Sequence, residues 1–266
     1  FVLERYDTHD TVSGLLKHYV VNERSVINFF PVDTLTANKI YLIRVHPGLK
    51  DRLGNTVTTS RSVSFTTALF DYQKTIIDAL EPGFSSYWMQ PGWSGSTTGT
   101  NPVPGVYREE SQEVVNELTG STRSLKLFYD WDLNASSWLI REYLNVSPPR
   151  NVLFDSTYIL QCYVFGDGSN TQFRFCVDDH APIEGVAQYH EVSNWITIDW
   201  IGWRLVQWDL GDPGSAGTWL GDGVLDSLLR IDSFQLSYQS GASPSGILYF
   251  DDLQLVTDIL LNIGEQ

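Results

Sequence analysis

The feature that most constrains this chain is a series of short runs in which apolar and polar residues alternate, each closed by glycine, proline, asparagine or aspartate. Lys39-Ile40-Tyr41-Leu42-Ile43-Arg44-Val45 and Arg61-Ser62-Val63-Ser64-Phe65-Thr66-Thr67 follow that pattern. A period of two belongs to a strand with one covered face, because successive side chains point to opposite sides of the pleat. The residues filling the runs agree: thirteen Phe, thirteen Tyr and nine Trp stand beside Val, Ile and Thr, with a single Met. Such side chains fit a pleated surface better than a helix. The expected fold class is all-β, and 266 residues exceed the usual size of one domain, so one large or two unequal domains are expected.

The grammar changes near residue 68. Before it, short strands around 25–31, 39–45 and 61–67 surround the turn residues Asp51, Gly54 and Asn55, as in a small β-sandwich. After a connection at 69–75, a larger unit at 76–258 carries eight strand signals, at 75–80, 124–131, 158–165, 172–177, 195–200, 204–210, 231–238 and 246–255, followed by a tail at 259–266. Eight strands separated by Gly- and Pro-rich loops suit a jelly-roll sandwich. The long stretch 88–104 reads as a loop.

A net charge of −15 repels phosphate backbones and anionic lipid, so neither nucleic acid nor a membrane surface is an expected partner. Neutral glycans and divalent cations remain open. No apolar run reaches the ~18 residues of a membrane helix, and the first residues, Phe1-Val2-Leu3-Glu4-Arg5, lack the pattern of an export signal. The sequence thus reads as a monomeric fragment of a longer polypeptide. Cys162 and Cys176 flank Asp167-Gly168-Ser169-Asn170 in what reads as a hairpin, where register decides between a cross-strand disulfide and two buried thiols; the second is the commoner state of such cysteines.

Two resemblances rest on specific residues. Asn28-Phe29-Phe30-Pro31, Leu35, Tyr41-Leu42-Ile43, Asp51 with Gly54-Asn55, and Phe65-Thr66-Thr67 resemble the bacterial Ig-like repeat of surface-layer and secreted multidomain proteins. That likeness implies a spacer in a secreted or cell-surface protein. Asp78-Ala79-Leu80-Glu81 with Trp88, Gly120-Ser121-Thr122-Arg123-Ser124-Leu125-Lys126-Leu127, Trp203-Arg204-Leu205-Val206-Gln207-Trp208-Asp209-Leu210 and Gly246-Ile247-Leu248-Tyr249-Phe250-Asp251-Asp252-Leu253 resemble jelly-roll carbohydrate-binding modules. This second likeness implies non-catalytic binding of a polysaccharide or oligosaccharide, and a structural calcium held by Glu81 and Asp251, with Asp78 or Asp252 assisting. Strand alternation would send Asp251 and Asp252 to opposite faces.

Sugar recognition needs flat apolar rings for the CH face of a pyranose and polar groups for its hydroxyls. Most of the nine tryptophans must be core. Parity places Trp195, Thr197 and Asp199 on one face and Ile196, Ile198 and Trp200 on the core face; it also turns Arg174 and Asp178 away from Phe173, Phe175 and Val177. Trp93 and Trp219 lie in glycine-flanked loops. The expected ligand-binding residues are therefore Trp195, Trp93, Trp219, Arg174, Asp178 and Asp199, although a solvated Arg174–Asp178 salt bridge is the blander account of that pair. Two other classes stand beside this reading, a cell-surface adhesin or structural module and a polysaccharide hydrolase or lyase. No nucleophile elbow, zinc-protease helix or phosphate loop occurs, and 32 acidic residues make some carboxylate pair inevitable, so such a pair carries no information.

Overall fold

The computed structural model describes residues 1–21, 24–51, 53–67, 72–145, 150–180 and 189–258. The chain divides into two compact units, one of residues 1–18, 27–73 and 258–266 and the other of residues 19–26 and 74–257. Residues 68–71 of the expected boundary and connection, and the tail 259–266, lie outside the described residues.

The smaller unit holds strands β1 (Val2–Arg5), β4 (Ile40–Val45) and β5 (Arg61–Thr66) and parts of β2 (Gly14–Val21) and β3 (Arg24–Pro31), whose residues 19–26 are counted in the other unit. They make an antiparallel sheet of order β1-β4-β5 and a β2-β3 hairpin. Leu3, Phe30 and Tyr41 are its buried apolar side chains among the described residues, and Tyr41 stacks on Phe65 at 5.8 Å. Asp51 is a turn former, as its position implied: its carboxylate accepts the amide N–H groups of Leu53 and Asn55, and Gly54 takes a φ of +85°. The segment before residue 16, which gives weak strand signals, nevertheless supplies β1 and the start of β2.

The larger unit is a sandwich of two antiparallel sheets. Its strands are β6 (Tyr72–Asp78), β7 (Tyr107–Ser111), β8 (Ser124–Asp130), β9 (Ile140–Tyr143), β10 (Ile159–Asp167), β11 (Gln172–Asp179), β12 (Tyr189–Ser193), β13 (Ile196–Thr197), β14 (Ile201–Asp209), β15 (Ala216–Gly217), β16 (Arg230–Ser237) and β17 (Ser245–Asp258). One sheet runs β14-β10-β17-β8-β7 with β6 also paired to β17, and the other runs β15-β12-β11-β16-β9 with β13 also paired to β11. Aromatic rings fill the space between them: Phe250 of the first sheet stacks on Phe234 of the second at 4.8 Å, and Phe173 lies 5.7 Å from Phe250. Trp88 stacks on the other side of this group, 4.9 Å from Phe234. No helix among the described residues is long and apolar enough to cross a membrane.

Three sequence expectations are corrected here. First, β10 and β11 are not a hairpin. The turn between them carries the chain from one sheet to the other, and its amides at Gly168 and Asn170 donate to Trp200 and Ile198 instead. Cys162 and Cys176 therefore sit in different sheets as buried free thiols. Second, the strand expected at 195–200 contracts to Ile196–Thr197. Third, Asp251 and Asp252 are both buried rather than divided between two faces. Between the pairs Tyr163↔Asp251 and Gln161↔Gln254, Cys162 alone opposes both Asp252 and Leu253, which is a β-bulge. Asp252 occupies it with a φ of +44°, a left-handed conformation that breaks the alternation.

Candidate functional site

The outer face of the β11 sheet gathers most of the expected ligand-binding residues. On β11, Phe173, Phe175 and Val177 enter the core, so Arg174, Cys176 and Asp178 share the opposite face. Cross-strand pairing adds Gln235 beside Arg174, Ser233 beside Cys176, and Arg230 and His190 on either side of Asp178. A second bulge, between Cys176 and Val177 against β16, turns Asp232 onto this face as well, where it meets Arg141 of β9.

Each charged group here has a defined setting. Asp178 is 2.7 Å from Arg230 Nη2 and 2.8 Å from His190 Nδ1. Although burial opposes it, this pairing holds the Asp178 carboxyl below its ordinary range. Arg141 binds Asp232 through Nε at 2.9 Å and through Nη2, and lies over the Tyr143 ring at 4.9 Å. Arg174 is 5% exposed; its Nε donates to Gln235 Oε1 at 2.8 Å and its guanidinium lies 4.0 Å from the centre of the Trp195 ring. Loss of hydration pushes the Arg174 guanidinium down to about 10. The expected Arg174–Asp178 salt bridge is replaced by these separate partners.

His190 makes this face pH-sensitive. Its Nδ1 lies 2.8 Å from a carboxylate oxygen of Asp178, and this pairing raises the imidazole above its ordinary range. A raised histidine contributes stability that is fully present below the unfolded value near 6.5 and is lost as pH rises through the folded value. Arg141 and Asp232 also face His190, with opposite effects. The melting temperature of the wild type is expected to fall more steeply between pH 6 and pH 9 than that of His190→Gln. Parallel melting curves of the two proteins across this range would contradict the pairing.

The tryptophans divide as burial requires. Trp88, Trp131 and Trp208 are core. Trp195 and Trp219 are half-buried, the first against Arg174 and the second 5.5 Å from the His190 ring, so both border the outer face. Trp93 is 71% exposed in a short 3-10 turn (Pro91–Trp93) in contact with edge strand β9. The 88–104 stretch is tied to that edge: the Met89 amide donates to Tyr143, the Arg141 amide donates to Thr97 Oγ1, and Thr98 bridges Leu139. Asp199 is not brought to this face. It is exposed, and its nearest cation is Arg204 of the other sheet, at 4.0 Å. Gln235, Arg141, Tyr143 and Asp232 were not found from sequence. Alternation along 231–238 places Gln235 opposite the apolar Phe234 and Leu236, a signal for one of them; β9, with four residues, gives too short a run for Arg141 and Tyr143.

A second cluster lies on the other sheet. The Asp251 carboxyl is pushed up to about 8, by burial first and then by the charges of Asp252 and Glu81. Thr119 Oγ1 donates to Asp251 at 3.4 Å, while Glu81 accepts the Thr122 amide at 2.7 Å and the Thr122 hydroxyl. Among the described residues no Lys, Arg or His lies within ion-pairing distance of Glu81, Asp251 or Asp252, although the charge of Lys74 acts on Asp252 from farther away. Asp78 is held differently, by the Leu80 amide, the Trp88 indole N–H and the Arg150 guanidinium.

No protein-family model and no curated protein matches the chain. Among solved structures it is similar to CtCBM11 (18% identity over 70% of this chain and 96% of that one, TM-score 0.46) and to a family 30 carbohydrate-binding module (12%, 70% and 89%, TM-score 0.44). It is also similar to the family 11 carbohydrate-binding module from Clostridium thermocellum in complex with a β-1,3-1,4-mixed-linked tetrasaccharide (16%, 65% and 96%, TM-score 0.39). The chain is thus similar in structure to carbohydrate-binding modules over most of its length.

Proposed function

We propose that the larger unit binds a polysaccharide or oligosaccharide without cleaving it, on the outer face of the β11 sheet. The observation that carries this reading is the convergence of Arg174, Gln235 and Asp178 with the bordering rings of Trp195 and Trp219 on one face of a rigid sheet. Aromatic borders supply apolar cover, and the guanidinium and carboxylate groups between them match sugar hydroxyls. A glycosidase needs an acid with a raised pKa facing a second free carboxylate. Here Asp178 is held ionised by Arg230 and His190, and Asp232 is taken up by Arg141, which favours binding over hydrolysis.

Glu81 and Asp251, with Asp252 in place of Asp78, are read as the holders of a structural calcium that joins the start and the end of this unit. The smaller unit is read as an Ig-like spacer within a longer secreted or cell-surface protein. A panel of soluble polysaccharides, tested with wild type and Trp195→Ala, decides the binding reading. Binding by the wild type and a loss of more than about tenfold in the variant, with an unchanged far-UV spectrum, is expected. Equal affinity of both proteins, or no binding across the panel, would overturn it.

A further inference from the structure

The outer face of the β11 sheet carries more positive than negative charge, in a chain whose net charge is −15. Its strands bring three guanidiniums to this face, and two are neutralised: Arg230 by Asp178 and Arg141 by Asp232. Arg174, on the central strand, has no carboxylate partner among the described residues. A desolvated guanidinium without an anion is costly, and folded chains ordinarily pair it.

Its neighbour is also incomplete. Gln235 is fully buried; its Oε1 is occupied by Arg174 Nε, while its Nε2 has no hydrogen-bond partner. A buried amide N–H left unpaired is uncommon in folded chains. Gln235 Nε2 is itself fully buried, so the donors left to a ligand on this face are the Nη atoms of Arg174. They cannot accept a hydrogen bond. What they require is an acceptor with two oxygens and negative charge, the planar fork that a guanidinium binds in bidentate fashion.

We infer that this face recognises a glycan bearing a carboxylate, a uronic acid residue, seated on Arg174 beside Trp195. The inference rests on the glycan-binding reading above and names its substrate class. A sugar hydroxyl satisfies one donor but leaves the charge of Arg174 uncompensated; a carboxylate accepts from two Nη groups and compensates the charge. The guanidinium carbon lies 4.0 Å from the centre of the Trp195 ring and Nε is bonded to Gln235, contacts that restrict the fork and reduce the ordering cost of binding. The overall acidity of the chain sets a limit of its own: a densely charged polyanion is repelled, so the favoured ligand is a mostly neutral glycan with isolated uronate groups.

The test is calorimetric titration of the full chain with glucuronoxylan oligosaccharides and with the same oligosaccharides after chemical reduction of their carboxylates to alcohols. The native form is expected to bind at least about tenfold tighter, as one charge-assisted bidentate contact allows. That preference should disappear in Arg174→Gln and shrink in Arg174→Lys, which keeps the charge but not the fork, with melting curves confirming that both variants fold. Equal affinity for native and reduced forms would overturn the uronate inference and leave the glycan-binding reading standing. Binding of neutral panel glycans but of neither xylan form would do the same, and no glycan binding at all would overturn both. Competition by a polyglutamate peptide as strong as that by glucuronoxylan would reassign the face to acidic protein.

Discussion

Replacing Arg108 with alanine is expected to destabilise the larger unit by about 3–5 kcal/mol, among the largest effects of any single substitution in it. Arg108 lies on β7 and Glu142 on β9, the edge strands of the two sheets, and their side chains meet at 3.2 Å with 4% and 0% exposure. This pair closes one open side of the sandwich. Burial raises the Glu142 carboxyl well above its ordinary value, and Arg108 is what opposes that shift. Without the guanidinium, Glu142 loses the one group that opposes the cost of its burial, and the Trp88 carbonyl loses the donor that Arg108 supplies. Urea unfolding measures the loss. The double variant Arg108→Met/Glu142→Leu should recover much of it, because apolar replacement of a whole buried pair removes both desolvation costs. A single-variant loss under about 1 kcal/mol would show that the pair does not hold the edge.

Removing calcium is expected to lower the melting temperature of the larger unit by about 5–10 °C when free calcium had stood about a hundredfold above its dissociation constant, and to leave the smaller unit's transition where it was. The reason is local. Asp251 is completely buried, and the charges of Asp252 and Glu81 add to burial in raising its carboxyl, a cost that a bound cation would relieve. Glu81 follows β6 near the start of the unit and Asp251 lies in β17 at its end, so an ion held by both would tie together two distant parts of the chain. Glu81→Gln and Asp251→Asn should abolish most of the sensitivity to chelator. Identical melting of metal-stripped and calcium-loaded wild type would show that these acids are stabilised in another way.

The core strands were legible because each carries enough alternating residues to declare a face. β11, β14, β16 and β17 fall close to the positions read from sequence, and parity alone turned Arg174 and Asp178 outward. The strands that were missed, β7, β9, β12 and β15, are short or polar, and β9, β12 and β15 owe their existence to a neighbour already in place. Alternation also cannot tell whether consecutive strands pair with each other. β10 and β11 carry the right pattern for a hairpin, yet they enter different sheets, which separates Cys162 from Cys176. The two bulges mark a further limit. Asp252 and Asp232 each occupy an extra residue that resets the register, and each lands where strict alternation would not put it. Asp199 shows the reverse: β13 ends at Thr197, and the parity that correctly placed Trp195 no longer applies two residues later.

The central claim is that a glycan lies on the outer face of the β11 sheet, and the indole N–H resonances of the nine tryptophans report it directly. Titrating the isotopically labelled protein with the tightest-binding glycan of the panel should shift the Trp195 and Trp219 indole signals, which border that face, and leave those of Trp88 and Trp131 in place within the core. Shifts confined to Trp200 and Trp203, which belong to the opposite side near β14, with Trp195 and Trp219 unmoved, would contradict it.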